Sequence, residues 1–518
     1  MCFFALVALT VLLVGASLSA SAEDVIYSGV WGDLTWELNE TTGELTVSGD
    51  GDMDDFASYG SSAWHEYKNS VINVTVEDGV TSIGEGGFYC CSGLTSIEIP
   101  ADVVSIRSNV FSGCSSLTSV KFADNSKLTS IGNSAFRNCS SLTSIEIPAG
   151  VTSIDNYAFS GCSSQTSVRF AENSKLICLG KEAFSGCGSL TSIELPVGVT
   201  NIGSEAFSRC SSLTSIEIPI GVTSIGEWTF SRCSSLTSIE IPIGVTSIGS
   251  YAFNGCSSLA GIEIPASVTS IGEETFYECI GLTSIVVQTG NHIYHSAGNC
   301  LIETASKTLV YGCKNSVIPT DGSVTGIGNK AFFGCSALES ITIPDSVTSI
   351  GEWAFSRCSS LTRIGIPNSV TRIGSYAFYE CGNLAKIIYC GTDAQWNAIQ
   401  KGTDWDGGNI DTVSYHVYDS DTDADCNVCG LFREIDEPTT DEPTTDTPIT
   451  DELTTDEPTT DAPETDAPVE EESTADADTS AETPIAFLGC GSSVSIGTGL
   501  IFLLAVGAAG VMLKKKED

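Results

Sequence analysis

Residues Ser211–Cys233 read SSLTSIEIPIGVTSIGEWTFSRC, and Ser234–Cys256 read SSLTSIEIPIGVTSIGSYAFNGC. Two near-identical 23-residue units in tandem mark a repeat array, and that period predicts a solenoid with one strand per coil. Within the first unit, Ile216 and Ile218 alternate with Glu217, the period-2 pattern of a half-buried strand. Pro219 has no N–H to give to a ladder and ends that strand. A second apolar cluster, Val222-x-x-Ile225-Gly226, leads to Phe230 and Cys233. No 3.6-residue stripe of helical length occurs, so a short strand plus a 3-10 turn fits the unit better than a helix.

One unit cannot bury its own apolar face, whereas stacked units share a continuous core. The same phenylalanine recurs at Phe88, Phe111, Phe136, Phe159, Phe184, Phe207, Phe230, Phe253, Phe276, Phe332, Phe355 and Phe378. Two steps are 25 residues, where 123–127 (ADNSK) and 171–175 (AENSK) replace the proline segment with a longer turn. One step, Phe276 to Phe332, is 56 residues and marks a modified region over 282–330. Gln165 stands where other units carry Leu117, Leu142 and Leu190, and a local irregularity is expected there.

The pattern LxxIxIPxxVTSIGxxAFxxC, recurring twelve times over about Val80 to Cys390, resembles the leucine-rich repeats of the BspA-like surface proteins of bacteria and some protozoa. The resemblance implies a mainly β horseshoe-like solenoid of short parallel strands and 3-10 turns. It also implies a non-enzymatic role in extracellular adhesion or binding. The expected partners are proteins of host or neighbouring-cell surfaces or of the extracellular matrix. Fold does not by itself give function.

Composition narrows the field further. The formal net charge is −43, which makes nucleic acid and anionic membrane surfaces poor partners. Only four histidines occur, His65, His292, His295 and His416, none of them in a nucleophile or metal motif. No glycine-rich phosphate loop occurs, and no cofactor is expected. His292-x-x-His295 has the spacing of two zinc ligands without further matched ones, and reads as a surface loop. Asp50, Asp52 and Asp54 resemble the start of a calcium loop, but its sixth and twelfth positions hold Asp55 and Ser61, so a polar turn is the better reading.

Taken in order, residues 1–22 read as a secretory signal ending Ala20-Ser21-Ala22, although no Lys or Arg precedes the apolar run. Residues 23–79 form a capping β segment, with a hairpin across Thr42-Gly43 that closes the open end of the solenoid. Residues 80–390 are the repeats, and within 282–330 a hairpin is expected to bulge from them. Residues 391–435 are a C-terminal cap carrying Trp396, Trp405 and Cys426-x-x-Cys429, the last read as a local disulfide or as thiols. Residues 436–484, acidic and rich in Thr and Pro, read as a disordered stalk. Residues 485–518 contain an uncharged run of 20, Val494–Leu513, followed by Lys514-Lys-Lys516. That is a transmembrane anchor with a basic cytoplasmic tail, which leaves the repeats outside at the cell surface. The rear of this segment resembles a cell-wall sorting signal, but Gly489-Cys490-Gly491 stands where LPxTG would be.

Of 21 cysteines, twelve sit three residues after the column phenylalanines. Stacked coils hold such Cβ vectors parallel rather than facing, so these cysteines read as buried thiols. Cys90, Cys178, Cys300, Cys313 and Cys390 lie off that ladder and are the disulfide candidates, Cys300 with Cys313 first.

Binding, if present, falls to the strand residues that flank the buried isoleucines. One outward column reads Glu98, Lys121, Glu146, Arg169, Glu194, Glu217, Glu240 and Glu263, beside a column of serines. Carboxylates stacked about 4.8 Å apart repel, and a basic protein surface or calcium would relieve that repulsion. The rival reading is a structural spacer that binds nothing specific.

Overall fold

The computed structural model describes residues 24–55, 62–408 and 412–415. The chain folds as two compact units, with described residues up to Ser296 in one and from Ala297 onward in the other. The expected signal (1–22), stalk (436–484) and membrane anchor (485–518) lie outside the described residues, as do Cys426 and Cys429. Among the described residues, no helix is long and apolar enough to cross a membrane.

Most coils of the first unit contribute a longer strand, a short strand and a turn; in the coil Ser234–Cys256 the longer strand is reduced to a single bridge at Glu240. Ser144–Ile147 is one such longer strand, with Ile145 and Ile147 buried and Ser144 and Glu146 exposed. It pairs in parallel with Ser167–Phe170 of the next coil. Its short partner, Ser153–Ile154, belongs to a second parallel ladder that runs alongside. Stacking therefore satisfies the backbone from coil to coil, and alternation turns Ile into the core and Glu outward.

The turn side is also hydrogen-bonded between coils. Tyr157 N–H donates to Lys181 O at 2.8 Å, Phe159 N–H to Ala183 O at 2.8 Å and Gly161 N–H to Ser185 O at 2.7 Å. Within a coil the turn closes by i to i+3 bonds such as Cys162 N–H to Phe159 O. The glycine after each buried Ile of the short strand is set by close approach. A Cβ on Gly249 would stand 2.6 Å from Glu227 N and 2.7 Å from Gly226 C in the preceding coil.

The phenylalanines form the predicted interior column. Phe88 through Phe276 stack with centroids 5.1–5.8 Å apart and ring planes within 13°. Trp64 begins the column, stacked 5.4 Å from Phe88. Ahead of it, Ile26–Trp31, Leu34–Asn39 and Glu44–Ser48 form an antiparallel meander. Glu44–Ser48 then pairs in parallel with Asn73–Val76, which pairs with Ser96–Ile99. The N-terminal segment is thus both an end cap and the first rungs of the long ladder.

The longer turns occur as expected, whereas the irregularity expected at Gln165 does not. The five-residue turns leave each coil intact but thin the pairing that follows. Ser119–Phe122 meets the next long strand only at Ser119–Ser144, and Ser167–Phe170 ends its sheet. Gln165 does not distort its coil either, since its N–H bonds Cys162 O as Leu142 N–H bonds Cys139 O. Its side chain is fully buried with Nε2 unpartnered, and Oε1 receives only the Cys187 thiol at 3.9 Å. A buried orphan amide donor costs about 1–3 kcal/mol. Gln165→Leu is therefore expected to raise unfolding free energy by about 1–2 kcal/mol, read as a higher denaturant midpoint. An unchanged or lower midpoint would refute the orphan donor.

In the second unit the expected hairpin is present but does not bulge away. Cys300–Glu303 pairs antiparallel with Thr308–Tyr311, with an irregularity at Leu301/Ile302. Thr308–Tyr311 then pairs in parallel with Gly326–Ile327, so the hairpin supplies a rung of the short-strand ladder. That ladder continues through Ser349–Ile350 and Arg372–Ile373 to Gln400–Lys401. Phe332, Phe355 and Phe378 stack in turn, and Trp405 closes the column edge-on at 6.2 Å from Phe378. The one helix of this unit among the described residues, Asp393–Ala398, is fixed by a capping box between Thr392 and Gln395 and buries Trp396.

Candidate functional site

The long ladder of the first unit places the outward column in register. Glu98 faces Lys121, Glu146 faces Arg169, Glu194 faces Glu217, and Glu217 bridges to Glu240. All six glutamates, Glu98, Glu146, Glu194, Glu217, Glu240 and Glu263, are exposed. The column is not uniform. At one end Lys121 Nζ lies 2.9 Å from Glu98, and that hydrogen bond raises the lysine's pKa above its ordinary value. At the other end Glu194, Glu217, Glu240 and Glu263 follow one another with no basic residue between them. No ion pair to any of the four occurs among the described residues.

Three of these carboxylates, Glu217, Glu240 and Glu263, line an open depression of about 870 Å³. It is lined by the buried Ile216, Ile239 and Ile241 and by Ser215, Ser238, Glu217, Glu240, Glu263, Ile243 and Gln288. Gln288 Nε2 donates to Glu263 Oε1 at 2.9 Å and closes one end. The polar part of the lining is two serine hydroxyls, three carboxylates and the Gln288 amide, with no basic side chain, so it offers negative charge and hydrogen-bonding groups.

The comparisons with known proteins agree with this architecture. Residues 59–178, 177–299 and 303–401 match the BspA type leucine rich repeat region in 6 copies. The chain belongs to the BspA-type leucine-rich repeat family. A leucine-rich repeat protein from Bacteroides ovatus is 26% identical, with 76% of this chain and 100% of that chain covered and a TM-score of 0.51. A leucine rich cell surface protein from Faecalibacterium prausnitzii is 27% identical, with 73% of this chain and 99% of that chain covered and a TM-score of 0.41. No curated protein sequence matches the chain.

In this BspA-type array many hydroxyls of the repeat are structural, a role the sequence reading missed. Thr118, Thr143, Thr166, Thr214 and Thr237 Oγ1 each donate to a backbone carbonyl of the preceding coil at 3.0–3.4 Å. Thr152, Thr246 and Thr269 do the same beside the short ladder at 3.2–3.3 Å. The period of 23 was the available signal, because a hydroxyl repeated at a fixed place in stacked coils always meets its own copy's backbone.

The ladder cysteines are free thiols, eleven buried and Cys335 half-buried. They are more than small apolar fillers. Cys114, Cys139, Cys162 and Cys233 donate S–H to the column phenylalanine carbonyl of the preceding coil at 3.1–3.2 Å. Burial pushes the thiols of Cys162, Cys210 and Cys256 up to about 12.

Of the off-ladder cysteines, Cys178 in the first unit and Cys390 in the second are each engaged in a disulfide. The expected Cys300–Cys313 bridge is absent, and both are buried free thiols. Each is engaged by its own hairpin: Cys300 Sγ approaches Gly298 O and Val317 O at 3.6 and 3.7 Å, and Cys313 Sγ approaches Asn299 O at 3.7 Å. Cys90 is also free.

The aspartates of the calcium-like stretch serve packing. Thr81 Oγ1 donates to Asp52 at 2.6 Å, and Arg107 pairs with Asp55 at 2.8 Å and Asp52 at 3.5 Å. Among the described residues, no three His, Cys, Asp or Glu side chains converge to hold a metal ion.

Proposed function

We propose that this chain is a non-catalytic cell-surface module. It attaches to proteins of host or neighbouring cells, or of the extracellular matrix, through the exposed face of the long ladder. The observation that carries this reading is the run Glu194, Glu217, Glu240 and Glu263, four carboxylates of successive coils without an ion pair among the described residues, the last three of them lining an open depression. A pure spacer has no use for stacked repulsion, and Lys–Glu alternation, as at Glu98 and Lys121, would remove it. Surface placement rests on the signal-like residues 1–22 and the apolar run followed by lysines at 494–516. Calcium is the alternative counter-ion. The carboxylates are strung one per coil rather than gathered at a point, which favours a partner's spaced cations.

Glu217→Gln with Glu240→Gln is expected to stabilise the free protein slightly. It should weaken attachment to cells or matrix about tenfold at low salt, the change being read by solid-phase binding with and without calcium. Undiminished attachment of the double variant at low salt would show that the face is only solvated. Loss of attachment on chelation alone would assign the column to calcium.

A further inference from the structure

Beside the carboxylate column runs a second row. The residue after each strand-ending proline is Ala101, Ala149, Val197, Ile220, Ile243 or Ala266 in successive proline coils. Only the three central coils carry a branched apolar residue there. Val197, Ile220 and Ile243 are 89%, 72% and 69% exposed. Each stands three residues after Glu194, Glu217 or Glu240, so the three large apolar side chains accompany three successive glutamates that carry no ion pair among the described residues. Ile243 and Glu240 line the same depression. In the second unit the equivalent positions are polar, Asp345 and Asn368, so the fold does not require an aliphatic residue there.

Two parallel stripes, one acidic and one aliphatic, set the chemistry and the repeat of what would cover them. Coils stack about 4.8 Å apart. An α-helix laid along the stack advances 5.4 Å per turn and presents one stripe residue per turn. The mismatch of about 0.6 Å per coil accumulates to under about 2 Å over three steps, within the reach of Lys and Arg side chains. An extended strand along the same line repeats its side chains every ~6.6–6.8 Å, a mismatch of about 2 Å per coil that grows to about 6 Å over three steps.

We propose that the face bearing Val197, Ile220, Ile243, Glu194, Glu217 and Glu240 docks a basic amphipathic α-helix of a partner protein, its cations over the glutamates and its apolar stripe over the aliphatic row. This rests on the protein-binding reading of the long ladder and names the class of partner.

The test uses the full chain and a labelled synthetic helix with Lys at i, i+4, i+7 and i+11 beside a leucine stripe, read by fluorescence anisotropy. A peptide of the same composition broken by proline is the control. The helical peptide is expected to bind at least tenfold more tightly than the broken one. Ile220→Ser with Ile243→Ser should weaken it about tenfold at any salt concentration. Glu217→Gln with Glu240→Gln should weaken it about tenfold at low salt and little at high salt. All four side chains are exposed, so thermal unfolding of the variants confirms an intact fold. Equal binding of the broken peptide, or no effect of the serine pair, overturns the proposal. If cell attachment is then lost in the glutamine pair but kept in the serine pair, the long-ladder reading stands without the helix. If neither pair affects attachment, both fail.

Discussion

Phe230→Ala lowers the unfolding free energy of the first unit by about 3–5 kcal/mol, the range for truncating a buried aromatic. Phe230 is fully buried between Phe207 and Phe253, with centroids 5.7 Å away on either side and ring planes within 9°. Truncation removes both stacking partners at once and leaves a void in a column that has no other filling. Neighbouring coils are held by backbone bonds on every side, such as Phe230 N–H to Ala252 O at 2.8 Å, so collapse into the void is limited. In a repeat array the loss is first local, because each coil contacts only its neighbours. Hydrogen exchange of the amides around Phe207, Phe230 and Phe253 should accelerate most, with smaller changes towards Phe111. A loss below 1 kcal/mol, or an acceleration spread evenly along the unit, would contradict the column.

Alkaline pH should unfold the array steeply. In the unfolded chain a cysteine titrates near 8.5. Burial holds Cys162, Cys210 and Cys256 up to about 12, and drives Cys114, Cys139, Cys187 and Cys233 well above the usual thiol range. A group whose folded pKa is raised contributes stability that is complete below its unfolded pKa. That contribution is lost as pH rises towards the folded value. Here the window opens near pH 8.5–9 and extends to about 12. Each such thiol removes roughly 1.4 kcal/mol per pH unit across that window, and the contributions of several thiols add. Denaturant midpoints measured at pH 8, 9 and 10 should fall progressively, and thiol-selective alkylation should accelerate along the same curve. A midpoint unchanged from pH 8 to 10 would mean that the thiols are not held as the structure has them.

Why some of this was legible in the sequence follows from the repeat itself. Equivalents of Phe230, Cys233 and the Ile216–Ile218 alternation recur from coil to coil outside the modified region 282–330, and a period is kept where each position meets the same surroundings. The outward glutamate column was legible for the same reason. Interactions made between copies were not, because Thr118 bonded to the carbonyl of Thr95 has no pattern in one unit. The column ends were missed as well. Trp64 and Trp405 occur once each, outside the period, and only the three-dimensional stack shows that they close it. The hairpin at Cys300–Tyr311 was visible, but its place in the ladder depends on Leu309 meeting Ile327. Cys178 and Cys390 were grouped with Cys300 and Cys313 by spacing alone, and spacing does not fix connectivity. The aliphatic row was in plain view as Val197, Ile220 and Ile243, but nothing in one dimension says that these side chains stay uncovered.

The most direct test of the binding account compares two faces of the same coils. Glu217→Lys with Glu240→Lys reverses charge on the long ladder, and Glu205→Lys with Glu227→Lys reverses the same charge at the turns, where Glu205 pairs with Lys181 at 3.3 Å and Glu227 is exposed. Attachment of the full chain to cells or matrix should be abolished by the first pair and kept by the second. Equal attachment by both variants, or loss confined to the second pair, would contradict the assignment of binding to the long-ladder face.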